Sequence, residues 1–272
     1  MSNHISFTIF TIVSTIYKPM RNLSFFILIL CLTCCSDLTS VSEVPSSVEK
    51  MKSRNVSGRV FEFPDIQWTL LDTYSQKLAA CQIPDSLISQ ISTDELVEIC
   101  MEFPLLLDAY AFQTPLIGLQ TMISRFNGFK ELLARKDNCC CLFNYLKAND
   151  IRLIEYARMD KADIGRKTLI YTLSEYLLSF DEILENSSEA LSKEISHFAY
   201  GMIEDKENVN SIFSMNSLSA SAYLCIKGVL SDYKQSRGIN PIIDKLLETG
   251  VLKDRTNLQE VKNICKYLMQ NN

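Results

Sequence analysis

Glu98, Glu102 and Asp108 lie close together along the chain and could form the general acid–base pair of a hydrolase. Glu194-Ile-Ser-His197 has the Glu-x-x-His spacing of di-iron helical bundles, which puts both side chains on one helix face. That site needs two such motifs and further glutamates. The chain has 2 histidines, His4 and His197, and only the second lies in its body, so the di-iron reading fails. Cys139-Cys140-Cys141 invites a metal, but successive helical residues point about 100° apart and cannot close one tetrahedral site. One of these thiols is expected in the core and the others outside it. A Cys–His or Ser–His nucleophile would have to use His197, which has no motif around it. The 8 glycines build no phosphate-binding loop. No catalytic, metal or cofactor-binding residue can therefore be named, no cofactor is implied, and solvated helix surface is the default reading of the acidic residues.

A different chemistry is written nearer the start. Leu23–Cys35 is a short apolar run preceded by Lys18 and Arg21, and it opens onto a polar segment. It is shorter than the ~20 residues a membrane-spanning helix needs and fits the apolar core of a secretory signal. Leu32-Thr-Cys-Cys35 resembles the bacterial lipobox, whose cysteine becomes diacylated, so Cys35 is the expected lipid-attachment residue. Cys34 stands where Gly, Ala or Ser is usual. Ile5–Tyr17 is a second apolar stretch, and a signal starting at Met20 would be compact, so Met20 is the expected natural start. Residues 1–35 are read as signal peptide with lipobox, 36–57 as a flexible Ser-rich tether and 58–272 as a helical domain.

Charge narrows the partners. The chain holds 27 basic and 32 acidic residues, and loss of the signal would remove Lys18 and Arg21 but no acid. The mature protein is thus more acidic than the full chain, and no long basic stretch occurs, which argues against nucleic acid. Of 10 cysteines, the body keeps Cys81, Cys100, Cys139, Cys140, Cys141, Cys225 and Cys265. An odd set in a domain of this size reads as buried apolar thiols, with Cys81–Cys100 as a conceivable disulfide.

The elements that would carry any site are helices. Ser92-Thr-Asp-Glu95 is a capping box leading Leu96, Val97, Ile99 and Cys100 inward. Pro104 starts a helical turn over Leu105–Phe112. Thr114-Pro115 opens a helix with Leu116, Leu119 and Ile123 on one face. Asn127-Gly128 reads as a turn needing positive φ before Phe129–Ala134. Asp137 is placed to cap Cys139–Lys147. Further helices are expected over Arg166–Phe180, along the stripe Leu191, Ile195, Phe198, Ala199 and Met202, and over the small-residue-rich Leu218–Tyr233. Asn240-Pro241 and Gly250 bracket another, and Thr256-Asn-Leu-Gln259 caps the last. Only Val60–Thr69 looks extended. The fold class is all-α: about nine stacked antiparallel helices, with a short solenoid-like array as one arrangement.

Ile83-Pro-Asp85, Ser92–Glu98, Pro104–Asp108, Arg125-Phe-Asn-Gly-Phe129, Glu131-Leu-Leu133, Arg135-Lys-Asp137 and Ser219-Ala-Ser-Ala-Tyr223 occur in this order. In these the chain resembles a family of uncharacterised secreted or lipid-anchored all-helical proteins of gut Bacteroidetes and Firmicutes. The resemblance implies a helical, exported protein and brings no activity or catalytic residues with it. Glu131 and Arg135 are read as a helix-surface pair, and Asp108 and Tyr110 as capping or buried residues that could line a groove. The combined expectation is a lipid-anchored extracytoplasmic module of the outer membrane or cell surface. It would bind an envelope protein, peptide or glycan between helices; the alternative is an extracytoplasmic hydrolase with unidentified carboxylates.

Overall fold

Helix starts follow side-chain chemistry. Ser92, Thr114, Asp160, Ser188 and Asn240 each accept a backbone N–H in the first helical turn that follows, satisfying donors that have no intrahelical partner. Pro115 and Pro241 take the first helical position, where their missing N–H costs nothing. Gly250 closes the helix begun by Pro241 with φ +73°, a left-handed conformation that glycine adopts without steric cost. The computed structural model describes residues 58–64, 68–153, 156–209, 212–229 and 240–271. Residues 1–35, read from sequence as a signal peptide ending at Cys35, and 36–57, read as a tether, lie outside the described residues.

Among the described residues the fold is all-α, with no strand. The α-helices are α1 Tyr74–Ala80, α2 Asp85–Ile88, α3 Thr93–Glu102, α4 Pro115–Arg125, α5 Asn127–Ala134, α6 Asn138–Ala148, α7 Lys161–Leu178, α8 Asp181–Leu184, α9 Glu189–Asn208, α10 Met215–Val229, α11 Pro241–Thr249 and α12 Arg255–Asn271. Single 3-10 turns occur at Trp68–Leu70, Leu106–Ala111, Ile151–Leu153 and Tyr156–Arg158. The elements outnumber the expected nine because α1, α2 and α8 are short and carry no long apolar stripe.

Contacts radiate from two helices. α7 packs on α4, α6 and α10, and α10 packs on α7, α9, α11 and α12. Both are buried almost all round, from Tyr171 to Leu178 in α7 and from Ser217 to Ile226 in α10. Small residues permit this. A Cβ on Gly228 would lie 2.3 Å from Ser196 Oγ of α9, so the expected close approach to this helix is present. The first half has an aromatic core. Phe103 and Phe126 stack with centroids 4.4 Å apart, and Phe129 meets both edge-on.

Several local readings need correction. Asn127 and Gly128 do not form a positive-φ turn; they begin α5, and a Gly128 Cβ would lie 2.5 Å from the Phe126 ring. The Asn127 side chain instead pairs with Ile83, accepting its N–H at 3.0 Å and donating to its carbonyl at 2.7 Å. Glu95 does not complete a capping box on Ser92. Its Oε1 accepts the N–H of Val60 at 2.6 Å, anchoring the start of the segment read as extended, whose described residues form no strand. Asp137 precedes α6 without capping it, because its Oδ1 accepts the Thr93 hydroxyl at 2.8 Å. The last helix is capped by Asp254, which accepts Asn257 N–H at 2.9 Å, ahead of the box read at Thr256. The capping box of α1, Thr73 with Gln76, is complete.

The glycines give opposite expectations in two helices. An ideal Cβ on Gly118 would sit 1.9 Å from the Ala109 carbonyl oxygen, where α4 presses on the Leu106–Ala111 turn, whereas one on Gly165 in α7 meets nothing within 4 Å. Gly118→Ala should cost about 1–3 kcal/mol or more. Gly165→Ala should stabilise by about 0.4–1 kcal/mol. Urea unfolding of both variants checks the pair, and equal effects would contradict the packing of α4.

Candidate binding cleft

Residues 58–64 are tied to α3 by one guanidinium. Arg59 donates to Glu102 at 2.8 Å and also pairs with Glu98. α1 is then fixed to α4 by Tyr74, whose hydroxyl reaches Met122 Sδ at 3.9 Å while the Arg125 guanidinium lies 5.3 Å from its ring centre. Gln82, after α1, donates to the Leu78 carbonyl at 2.8 Å and accepts Asn127 N–H at 3.0 Å. These ties lay residues 68–77 beside the end of α3, the 3-10 turn after it and the N-terminal part of α7.

An open cleft of about 450 Å³ results, lined by Trp68, Tyr74, Lys77, Glu102, Pro104, Leu105, Asp108 and Arg166. Its floor includes buried Leu105; Trp68 and Lys77 are half-buried, and Asp108 and Arg166 are exposed. Glu102 faces it already neutralised by Arg59. Lys77, Asp108 and Arg166 make no ion pair or side-chain hydrogen bond with any described residue. Two unpaired cations, one unpaired carboxylate and two aromatic rings thus share one concavity. Such a surface can hold a polar ligand that stacks on an aromatic face and places an anionic group near the cations.

The sequence candidates are distributed differently. Glu102 and Asp108 both reach the cleft, while Glu98 is engaged by Arg59 on α3, so the three do not converge as a free acid–base set. Tyr110 does not line the cleft and donates its hydroxyl to the Leu169 carbonyl at 2.8 Å. His197 is exposed, its Nδ1 2.8 Å from the Lys193 carbonyl, and Glu194 pairs with Lys147 at 3.2 Å. Glu131 and Arg135 form the expected pair at 3.0 Å, and Arg135 also donates to the carbonyls of Ile91 and Ile88. Trp68, Lys77 and Arg166 escape sequence reasoning, since nothing local brings them together. The one available signal is that Trp68 is the only tryptophan in the chain.

Among the described residues, no three His, Cys, Asp or Glu side chains converge to hold a metal. Cys139 is buried, Cys141 partly buried and Cys140 exposed, the split expected of adjacent helical residues. Cys81 and Cys100 are separate buried free thiols, not the disulfide entertained from sequence. Among the described residues no helix is long and apolar enough to cross a membrane. No family model, no curated protein and no solved structure matches this chain.

Burial pushes the Cys81 and Cys139 thiols up from 9.0 to about 11, which leaves them protonated and poorly nucleophilic near neutral pH. Below pH 9 folded and unfolded chains hold these protons alike. Above it the unfolded chain releases them first, so stability falls as pH rises from about 9 to about 11. The expected loss is on the order of 2 kcal/mol per thiol. Denaturant midpoints across this window check it, and a flat profile would refute the burial-driven shift.

Proposed function

We propose that this chain is a lipid-anchored extracytoplasmic protein of the bacterial envelope, at the outer membrane or cell surface. In this reading its helical body binds a carboxylate-bearing peptide or glycan in the Trp68–Arg166 cleft. The carrying observation is the cleft's unsatisfied chemistry: Lys77 and Arg166 have no acidic partner among the described residues and face a concavity walled by Trp68 and Tyr74. A ligand carboxylate between them would gain charge-assisted hydrogen bonds of about 1.5–3 kcal/mol each. The indole would cover a sugar ring or aliphatic stem. Asp108 would accept from a ligand hydroxyl or ammonium group, which favours a ligand with both donors and acidic groups.

The anchor rests on the lipobox-like Leu32–Cys35 and the run before it. Kinship with exported helical proteins rests on the ordered motifs alone. Several of these motifs are structural pairs: Asn127 with Ile83, Arg135 with Ile88 and Ile91, and Thr93 with Asp137. They are the positions that a shared fold would retain. The hydrolase alternative gains no support, because Arg59 holds Glu98 and Glu102 as a bridge.

The single tryptophan makes the cleft directly observable. Titration with acidic oligosaccharides and acidic peptides should change Trp68 emission saturably. Lys77→Ala and Arg166→Ala should each weaken binding about tenfold or more, while Lys245→Ala on α11 should leave it unchanged. Loss of binding in none of the cleft variants would overturn the site. Radiolabelled palmitate should enter the native protein and not Cys35→Ala; label in both, or in neither, would overturn anchoring at Cys35.

A further inference from the structure

Glu95, Glu98 and Glu102 recur at three- and four-residue spacing down one face of α3. Residues 59–61 lie along that face. Glu95 Oε1 accepts the N–H of Val60 at 2.6 Å and that of Phe61 at 3.4 Å, and the buried Phe61 ring meets Phe63 edge-on at 5.2 Å. Phe63 in turn packs on Phe103 and Phe126. Backbone and rings thus deliver Arg59 to the two remaining carboxylates, where it pairs with Glu98 and donates to Glu102 at 2.8 Å. Among the described residues no other cation lies within ion-pair distance of either carboxylate. The Arg59 side chain is 29 % exposed and that of Glu102 54 %, so the guanidinium lies toward the protein and the carboxylate toward the open side.

The lining of the cleft does not by itself fix the sign of its charge, because Lys77 and Arg166 stand there against Glu102 and Asp108. Arg59 is not part of that lining. We propose that Arg59 is the specificity-determining residue of the cleft, acting through Glu102 to make it select anionic over cationic ligands. The ligand class rests on the binding reading given above. With Arg59 in place, the Glu102 carboxylate is held back against α3 by a cation of its own, and Lys77 and Arg166 outweigh Asp108. Without it, Glu98 and Glu102 repel each other four residues apart on one helix face. Glu102 then turns toward Lys77 and Arg166 and competes with a ligand carboxylate for them. A lysine at this position keeps the charge but not the fork that engages two carboxylates at once, so Arg59→Lys retains most of the preference.

The test adds no ligand, so its outcome is separable from that of the Trp68 titration. Trp68 is the only tryptophan of the chain and lines the cleft, so collisional quenching of its emission by iodide, by caesium and by neutral acrylamide reads the local charge. At constant ionic strength, Arg59→Gln should lower the ratio of iodide to caesium quenching constants about two- to fourfold and leave acrylamide quenching unchanged. Adding Glu102→Gln to Arg59→Gln should return the ratio to near the wild-type value, and Arg59→Lys should keep it there. A merely structural role for Arg59 would instead raise quenching by all three probes together. That result, an unchanged ratio in Arg59→Gln, or failure of the second substitution to restore it would overturn the proposal. Should circular dichroism show that Arg59→Gln does not fold, Glu102→Gln alone carries the test: it should raise the ratio by a similar factor, and no rise would overturn the proposal.

Discussion

One buried ion pair constrains the rest of this molecule. Lys206 of α9 and Glu175 of α7 are both fully inaccessible, with Nζ 2.5 Å from Oε2. The ammonium uses its other two protons on the Ser217 carbonyl at 3.0 Å and the Ser221 hydroxyl at 2.8 Å. Ser221 closes the ring by donating to Glu175 Oε1 at 2.6 Å. Burial pushes the carboxyl up and the ammonium down, and their mutual attraction opposes both displacements. Two charges removed from water cost several kcal/mol each, repaid only by such complete satisfaction. A slip of any of the three helices by one residue would leave a charge orphaned in the core. The pair is therefore read as setting register more than as adding net stability. The Tyr171 and Phe213 rings, 5.5 and 5.9 Å from the ammonium, line its approach.

From that register the remaining geometry follows. With α7 fixed, its buried C-terminal part supplies Tyr176, whose hydroxyl holds the Gly250 carbonyl at 2.7 Å and positions the end of α11. Its exposed N-terminal part carries Arg166 to the cleft. With α9 fixed, the Lys262–Glu207 pair sets α12 against it. Thr172 and Ser217 add a hydrogen bond at 2.9 Å between α7 and α10. Ser174, Ser179 and Ser219 each donate to a carbonyl three or four residues earlier, whereas the buried Tyr171 hydroxyl has no partner among the described residues.

Much of the helical order was readable from local chemistry. Ser92, Thr114-Pro115, Asn240-Pro241 and Gly250 act at short range, and each stands at a helix end. Asn127, Glu95 and Asp137 misled for a common reason. Their side chains have good local roles available, but distant backbone or hydroxyl groups of Ile83, Val60 and Thr93 win them. The buried pair was half-visible. Glu175 stands among Leu173, Tyr176, Leu177 and Leu178, where a charge needs a partner, yet Lys206 lies in the charged run Glu204–Glu207 and looks like surface. The cleft was least visible, because Trp68, Lys77, Asp108 and Arg166 come together only through long-range packing.

The most direct measurement is a double-mutant cycle at Glu175 and Lys206, read as urea unfolding free energies of wild type, Glu175→Leu, Lys206→Met and the combined variant. Each single change should cost about 3–5 kcal/mol by stranding the opposite charge. The combined change should cost far less than the sum, because no charge is left buried without a partner. Additive costs, or single variants as stable as wild type, would contradict the claim that this pair fixes the register of α7, α9 and α10.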